Sequence, residues 1–126
     1  MNQIKGPAIF LAQFCSDQKP FNNLKNICHW AASLGYQAVQ IPSWETRLFD
    51  LELAAESQGY CDEITGIVTS AGLQISELST HLQGQLVAVH PAYDRLFDGF
   101  SPAACHGNPA AKSAWAIQQL KYAARA

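Results

Sequence analysis

The stretch Leu34-Gly35-Tyr36-Gln37-Ala38-Val39-Gln40-Ile41 is echoed further along the chain by Ala71-Gly72-Leu73-Gln74-Ile75-Ser76-Glu77-Leu78. Each reads as a helix end, a glycine, an apolar residue, a glutamine and a short strand. Glycine just past a helix supplies the left-handed residue that terminates it. Parallel strands can be joined only by a long crossover, usually a helix, so a repeated helix-to-strand joint is what stacked βαβ units produce. The repeat predicts an α/β chain with a parallel sheet.

The segments on either side of these joints agree. Ala8 to Phe14 is short, nearly continuously apolar and bounded by Gly6-Pro7 and Ser16-Asp17, the pattern of a strand buried on both faces. Asn22 stands in position to cap a following helix, in which Leu24, Ile27, Cys28 and Ala31 fall at i, i+3, i+4 and i+7. Pro42 stops the second strand, Ala38 to Ile41. Residues 43–59 form a longer connection with Trp44, Glu45 and a short helical candidate from Leu51 to Ser57. A helix from about Tyr60 to Ala71 places Ile64, Ile67, Val68 and Ala71 on one face, and a third strand, Ile75 to Ser79, leads into Thr80-His81. Leu82 to Gly107 reads as a long loop with short helical pieces around Tyr93 to Leu96. Asn108-Pro109, an N-cap followed by proline, starts a last helix from Ala110 to Ala126.

Three β/α units in 126 residues match the opening of a (β/α)8 TIM barrel, which takes roughly 250 residues when closed. The last helix has no strand after it, which fits the same reading. The expectation is therefore a single unit, residues 1–126, forming the N-terminal part of a barrel, with a complete small α/β domain as the alternative.

Composition excludes several classes. Hydrophobic residues make up 48% and charged residues 14%, so a packed core is expected and disorder is not. The net charge is −2 and the eight Lys and Arg residues are scattered, which argues against a nucleic-acid partner, since that needs concentrated positive charge. No apolar run reaches the roughly 18–20 residues of a membrane span. The first residues lack the apolar core of a secretory signal, so a cytoplasmic protein is expected. The four cysteines are widely spaced with no C-x-x-C pair, so they signal neither zinc nor redox chemistry and read as structural thiols. No dinucleotide fingerprint, P-loop, G-x-S-x-G or H-E-x-x-H motif is present.

Barrels grip ligands at the C-terminal ends of their strands. Those positions are Gln13 and Phe14 after the first strand, Gln40, Trp44 and Glu45 at the second, and His81 and Gln83 after the third, with His90 in the loop beyond. His81 is the candidate catalytic residue, because histidine as a class titrates near neutral pH; its other reading is a loop histidine held by the backbone. Trp44 reads equally as a ligand wall or as core packing. Glu45 reads as a carboxylate base or as a solvated loop residue. Glu77 needs a partner if its side chain turns inward.

The runs Asp50 to Ser57, Tyr60 to Glu63, Glu77 to Asp94, and Gly107 to Lys112 with Trp115-Ala116 resemble the N-terminal part of sugar phosphate isomerase/epimerase proteins, in the xylose-isomerase-like barrel superfamily. The resemblance covers nearly the whole chain. It implies a barrel enzyme that moves a proton beside the carbonyl of a sugar or sugar phosphate, with a divalent metal (Mn, Mg or Zn) polarising the oxygens. It also implies that His81 touches substrate. The family's metal ligands come mostly from later strands, so no metal site is expected in this chain, nor activity from it alone. A half-barrel module that self-associates through exposed strand edges is the alternative from another class. A DNA-repair endonuclease, an activity found in the same superfamily, fits the acidic balance poorly.

Overall fold

A computed structural model describes residues 3–126. Three parallel strands, β1 (Ala8–Phe10), β2 (Ala38–Pro42) and β3 (Gln74–Ser79), lie side by side in the order β1-β2-β3. They alternate with helices α1 (Leu24–Ser33), α2 (Leu51–Glu56) and α3 (Gln58–Ser70), and are followed by α4 (His81–Gly84) and α5 (Pro109–Arg125). The class is mixed α/β with a parallel sheet, as the repeat predicts.

The two joints are built alike. Gly35 and Gly72 take positive φ, 89° and 78°. Gly35 N–H bonds to Ala32 O at 3.0 Å and Tyr36 N–H to Ala31 O at 3.3 Å; Gly72 N–H bonds to Thr69 O at 2.9 Å and Leu73 N–H to Val68 O at 3.2 Å. Both are Schellman closures, which satisfy the last carbonyls of a helix. The glutamine that follows then opens each strand pair: Gln37 N–H reaches Pro7 O at 2.9 Å, and Gln74 N–H reaches Gln37 O at 3.0 Å.

Side chains alternate across a strand, and here the alternation sorts them by polarity. Ile9, Leu11, Val39 and Ile41 join Leu24, Ile27, Cys28 and Ala31 of α1 and Ile64 and Val68 of α3 in one core. Both crossover helices therefore cover the same face of the sheet. Burial of each such aliphatic side chain contributes about 1.5–3 kcal/mol. On the other face Phe10 lies opposite Gln40, and Gln40 opposite Glu77 past an irregularity between Val39 and Gln40. Phe10 and Gln40 are half-buried and Glu77 is exposed.

Several segments depart from the sequence reading. β1 ends at Phe10, and Ala12–Phe14 turns as a 3-10 helix. Phe14 and Phe21 both pack on Trp30, with ring centroids 4.8 and 5.1 Å away, which draws this segment onto α1 instead of along the sheet. The cap of α1 is Asn23, whose Oδ1 accepts from Asn26 N–H at 2.9 Å; Asn22 braces it by accepting from Asn23 Nδ2 at 3.4 Å. The stretch after His81 is more ordered than the loop expected: α4 and a turn Ala103–Cys105 are additions to the sequence reading, while the helical pieces expected around Tyr93 to Leu96 fall within a 3-10 segment Pro91–Phe100.

One buried ammonium organises that stretch. Lys112, on α5, is 0% exposed. Its Nζ donates to Asp94 Oδ1 at 2.7 Å, to Asp94 O at 3.2 Å and to an oxygen of Asp98. Asp98 Oδ1 also accepts Gly107 N–H at 3.1 Å. The hydrogen bond from Lys112 holds the Asp98 carboxyl below the usual carboxylate range, aided by the Gly107 amide. Burial alone would lower the Lys112 pKa, but the hydrogen bonds to Asp94 and Asp98 outweigh it and the value is raised.

Gly35→Ala leaves room for the methyl group but strains the positive φ, and should lower unfolding stability by about 1–2 kcal/mol in urea denaturation. The clamp has a pH window. The Asp98 contribution is full above the ordinary carboxylate range and disappears as pH falls through the lowered value; the Lys112 contribution is full below the ordinary lysine value and disappears as pH rises through the raised one. Lys112→Met should leave the Asp94 carboxylate buried without its cation and speed amide exchange across Pro91–Phe100. The stability gap between wild type and variant should narrow in acid.

Candidate functional site

The ends of the three strands carry a row of rings. Phe10 closes β1, Trp44 follows β2 in the turn after Pro42, and His81 opens α4 just past β3. Phe10 and Trp44 meet edge to face with centroids 6.1 Å apart, and Trp44 and His81 are tilted at 6.4 Å. Beneath the row, Gln40 Nε2 donates to Glu77 Oε1. Glu77 is exposed, so water solvates its carboxylate as well as Gln40 does. His81 is exposed, and its Nε2 lies 3.3 Å from Gln85 Nε2 one helical turn on. An imidazole, an amide, a carboxylate and two apolar rings thus share one rim. That combination can hold a polar ligand with an apolar face and exchange a proton with it.

Glu45 stands nearby but is committed. Arg47 grips it through Nε to Oε1 at 2.8 Å and through Nη2 to Oε2 at 3.0 Å, and reaches Asp17 with Nη1 at 2.9 Å. Burial would raise the Glu45 pKa, but the Arg47 hydrogen bonds outweigh it and hold the carboxyl below its ordinary value. Glu45 is therefore a fixed anion and not a free base. Its charge adds to burial in pushing the Cys15 thiol up to about 11.

Gln83 lies inward. It is 1% exposed and its Nε2 donates to Ser43 Oγ at 3.0 Å, which in turn donates to Ser79 O at 2.8 Å. This chain ties α4 to the ends of β2 and β3. Of the remaining candidates, Gln13 is exposed on the 3-10 turn and Phe14 packs against Trp30, on the helix side of the sheet. His90 caps Pro91–Phe100, its Nδ1 accepting Ala92 N–H at 3.1 Å, and its ring lies 5.9 Å from Tyr93. The structure thus brings Gln40, Trp44 and His81 together, sets Gln83 and Glu45 beside them in supporting roles, and leaves Gln13, Phe14 and His90 elsewhere. Phe10, Ser43 and Arg47 belong to the rim and were not singled out by the sequence. The Glu-x-Arg spacing of 45 and 47 was the one local signal available for them.

Among the described residues, no three His, Cys, Asp or Glu side chains converge as a metal ion would need. All four cysteines are free, and no described helix is long and apolar enough to cross a membrane. Compared with known protein families and with curated proteins, the chain matches none.

Cys15 and Cys28 are both raised to about 11, Cys28 by burial alone. At pH 8 only about one thiol in a thousand would be ionised at such a site, so alkylation by iodoacetamide should run roughly a hundredfold slower than for free cysteine. Arg47→Met should slow Cys15 further and return the Glu45 pKa upward, read by mass spectrometry of the labelled peptides and by carboxyl NMR.

Proposed function

We propose that this chain is the N-terminal portion of a larger (β/α)8 barrel of the sugar phosphate isomerase/epimerase type, and that it supplies the first wall of the sugar site. The consecutive strand order, with both crossover helices on one face, supports a singly wound barrel. A doubly wound sheet reverses its order at a switch point and covers both faces. The face bearing Phe10, Gln40 and Glu77 is the one a closed barrel would turn inward.

The observation that carries the reading is the Phe10–Trp44–His81 row at the strand ends, above the Gln40–Glu77 pair. A sugar has a C–H face that packs on aromatic rings and hydroxyls that need amide, carboxylate and imidazole partners. His81 would sit against the ligand and carry a proton between carbon and oxygen positions of the sugar. In the complete barrel a divalent cation (Mn, Mg or Zn) would polarise the sugar oxygens; the side chains described here do not make its site, so no step is assigned to it. Free thiols suit a reducing, cytoplasmic setting. The second reading, a half-barrel that pairs through its strand edges, is favoured by the outer position of β1 and β3; a monomer in sedimentation at high concentration would count against it.

The chain alone should show no turnover of ketoses or ketose phosphates with Mn²⁺ or Mg²⁺, yet bind them weakly, with NMR shifts at the Trp44 indole. Trp44→Ala should weaken that binding about tenfold, the scale of a lost aromatic contact. Appreciable turnover by this chain, or sugar binding indifferent to Trp44 and His81, would sink the proposal.

A further inference from the structure

Trp44 also walls a cleft of about 460 Å³, lined by the β2–α2 connection, α4, the Pro91–Phe100 segment and α5 and open on one side. Its volume lies within the range of small-molecule sites. Trp44, Phe49, Phe100 and Trp115 give it aromatic walls, while Ser43 and Gln83 stand at its buried side.

The hydrogen bonds there have a fixed direction. The Ser43 hydroxyl gives its single proton to Ser79 O, so Ser43 Oγ can only accept from Gln83, and the Gln83 Nε2 is the donor. That leaves Gln83 Oε1, buried and without any partner. A buried carbonyl oxygen lacking a donor is unusual enough to need a reason. The charge of the lining is one-sided as well: Asp50 and Glu52 contribute, and none of the described lining residues is Lys, Arg or His. Anions are disfavoured by this arrangement, whereas a protonated nitrogen finds a carbonyl acceptor, carboxylates and ring faces together.

We propose that this cavity binds a small organic amine with an apolar body, the Gln83 amide turning its buried, unpartnered Oε1 toward the incoming N–H while the rings of Trp44, Phe100 and Trp115 hold the body. The inference does not rest on the sugar reading, since a sugar phosphate is an anion and would be turned away here.

The test is titration of the full, isotope-labelled chain with 2-phenylethylamine and, separately, with 3-phenylpropionate, an acid of similar shape. The amine should shift the indole N–H signals of Trp44 and Trp115, and the acid should not. Gln83→Leu keeps the size, removes the acceptor and leaves the Ser43–Ser79 bond in place. It also gives up the bond to Ser43, so it should remain folded with a melting point at or somewhat below wild type, and bind the amine roughly tenfold more weakly, the ratio expected for one lost hydrogen bond to a charged group. Gln83→Glu should instead tighten amine binding and be stabilised by added amine in a thermal melt, which keeps the idea testable if the leucine variant does not fold. No shift with the amine, equal binding of amine and acid, unchanged affinity in Gln83→Leu, or no tightening in Gln83→Glu would each overturn the assignment.

Discussion

Both crossovers in this chain carry their helices to the same side of a three-stranded parallel sheet, and the distribution of side chains follows from that geometry. On the helix side, Ile9, Leu11, Val39 and Ile41 can be aliphatic without restriction, because α1 and α3 remove them from water. On the other side the same strands offer Phe10, Gln40 and Glu77, a mixture that neither fully buries nor fully solvates. Polar groups gather there because nothing apolar within the described chain excludes water from them. Chemistry is concentrated at the strand ends for a related reason: backbone pairing stops, and side chains such as Trp44 and His81 become free to face one another.

The second half of the chain relies on a different device. α5 follows no strand of its own and lies against α2 and α4, so the segment between α4 and α5 cannot lean on sheet pairing. Lys112 substitutes for it, collecting two carboxylates and a carbonyl from Pro91–Phe100. Burying an ammonium is expensive unless its hydrogen bonds are filled, and here all its protons find oxygen. Phe100 and Trp115, which wall the cavity, lie on the two segments that this clamp joins.

What could be read from sequence was what local rules govern. Gly35 and Gly72 were legible because a helix end needs a positive φ whatever surrounds it, and the stripe Leu24, Ile27, Cys28, Ala31 because a helix face repeats at fixed spacing; all four of those side chains are buried. Asn22 and Asn23 were not separable, since either asparagine can cap and only the backbone phase selects one. Phe14 misled because an apolar run looks the same along a strand or folded back onto Trp30. The Lys112–Asp94 pair, 18 residues apart, leaves no local trace, so the sequence showed short helical pieces around Tyr93 to Leu96 but not what holds them in place. Gln83 sat at the expected strand end, but its polarity concealed that it is among the most buried side chains in the molecule.

Trp44 is where the two halves meet. One side of its environment is Phe10 and His81, above a carboxylate already paired with an amide; the other is a cavity with Asp50, Glu52 and an unpaired carbonyl oxygen. The same indole therefore borders two chemically distinct regions, one bearing an imidazole and a paired amide and carboxylate, the other two carboxylates and further aromatic rings. The Ser79–Ser43–Gln83 chain links them, since Ser79 closes β3 immediately before the turn to His81, while Gln83 faces the cavity. A donor arriving at Gln83 Oε1 would polarise the amide and strengthen its bond to Ser43. The cavity and the rim thus share the Trp44 ring and are joined by the Ser79–Ser43–Gln83 hydrogen bonds, so both rest on the same short stretch between β2, β3 and α4.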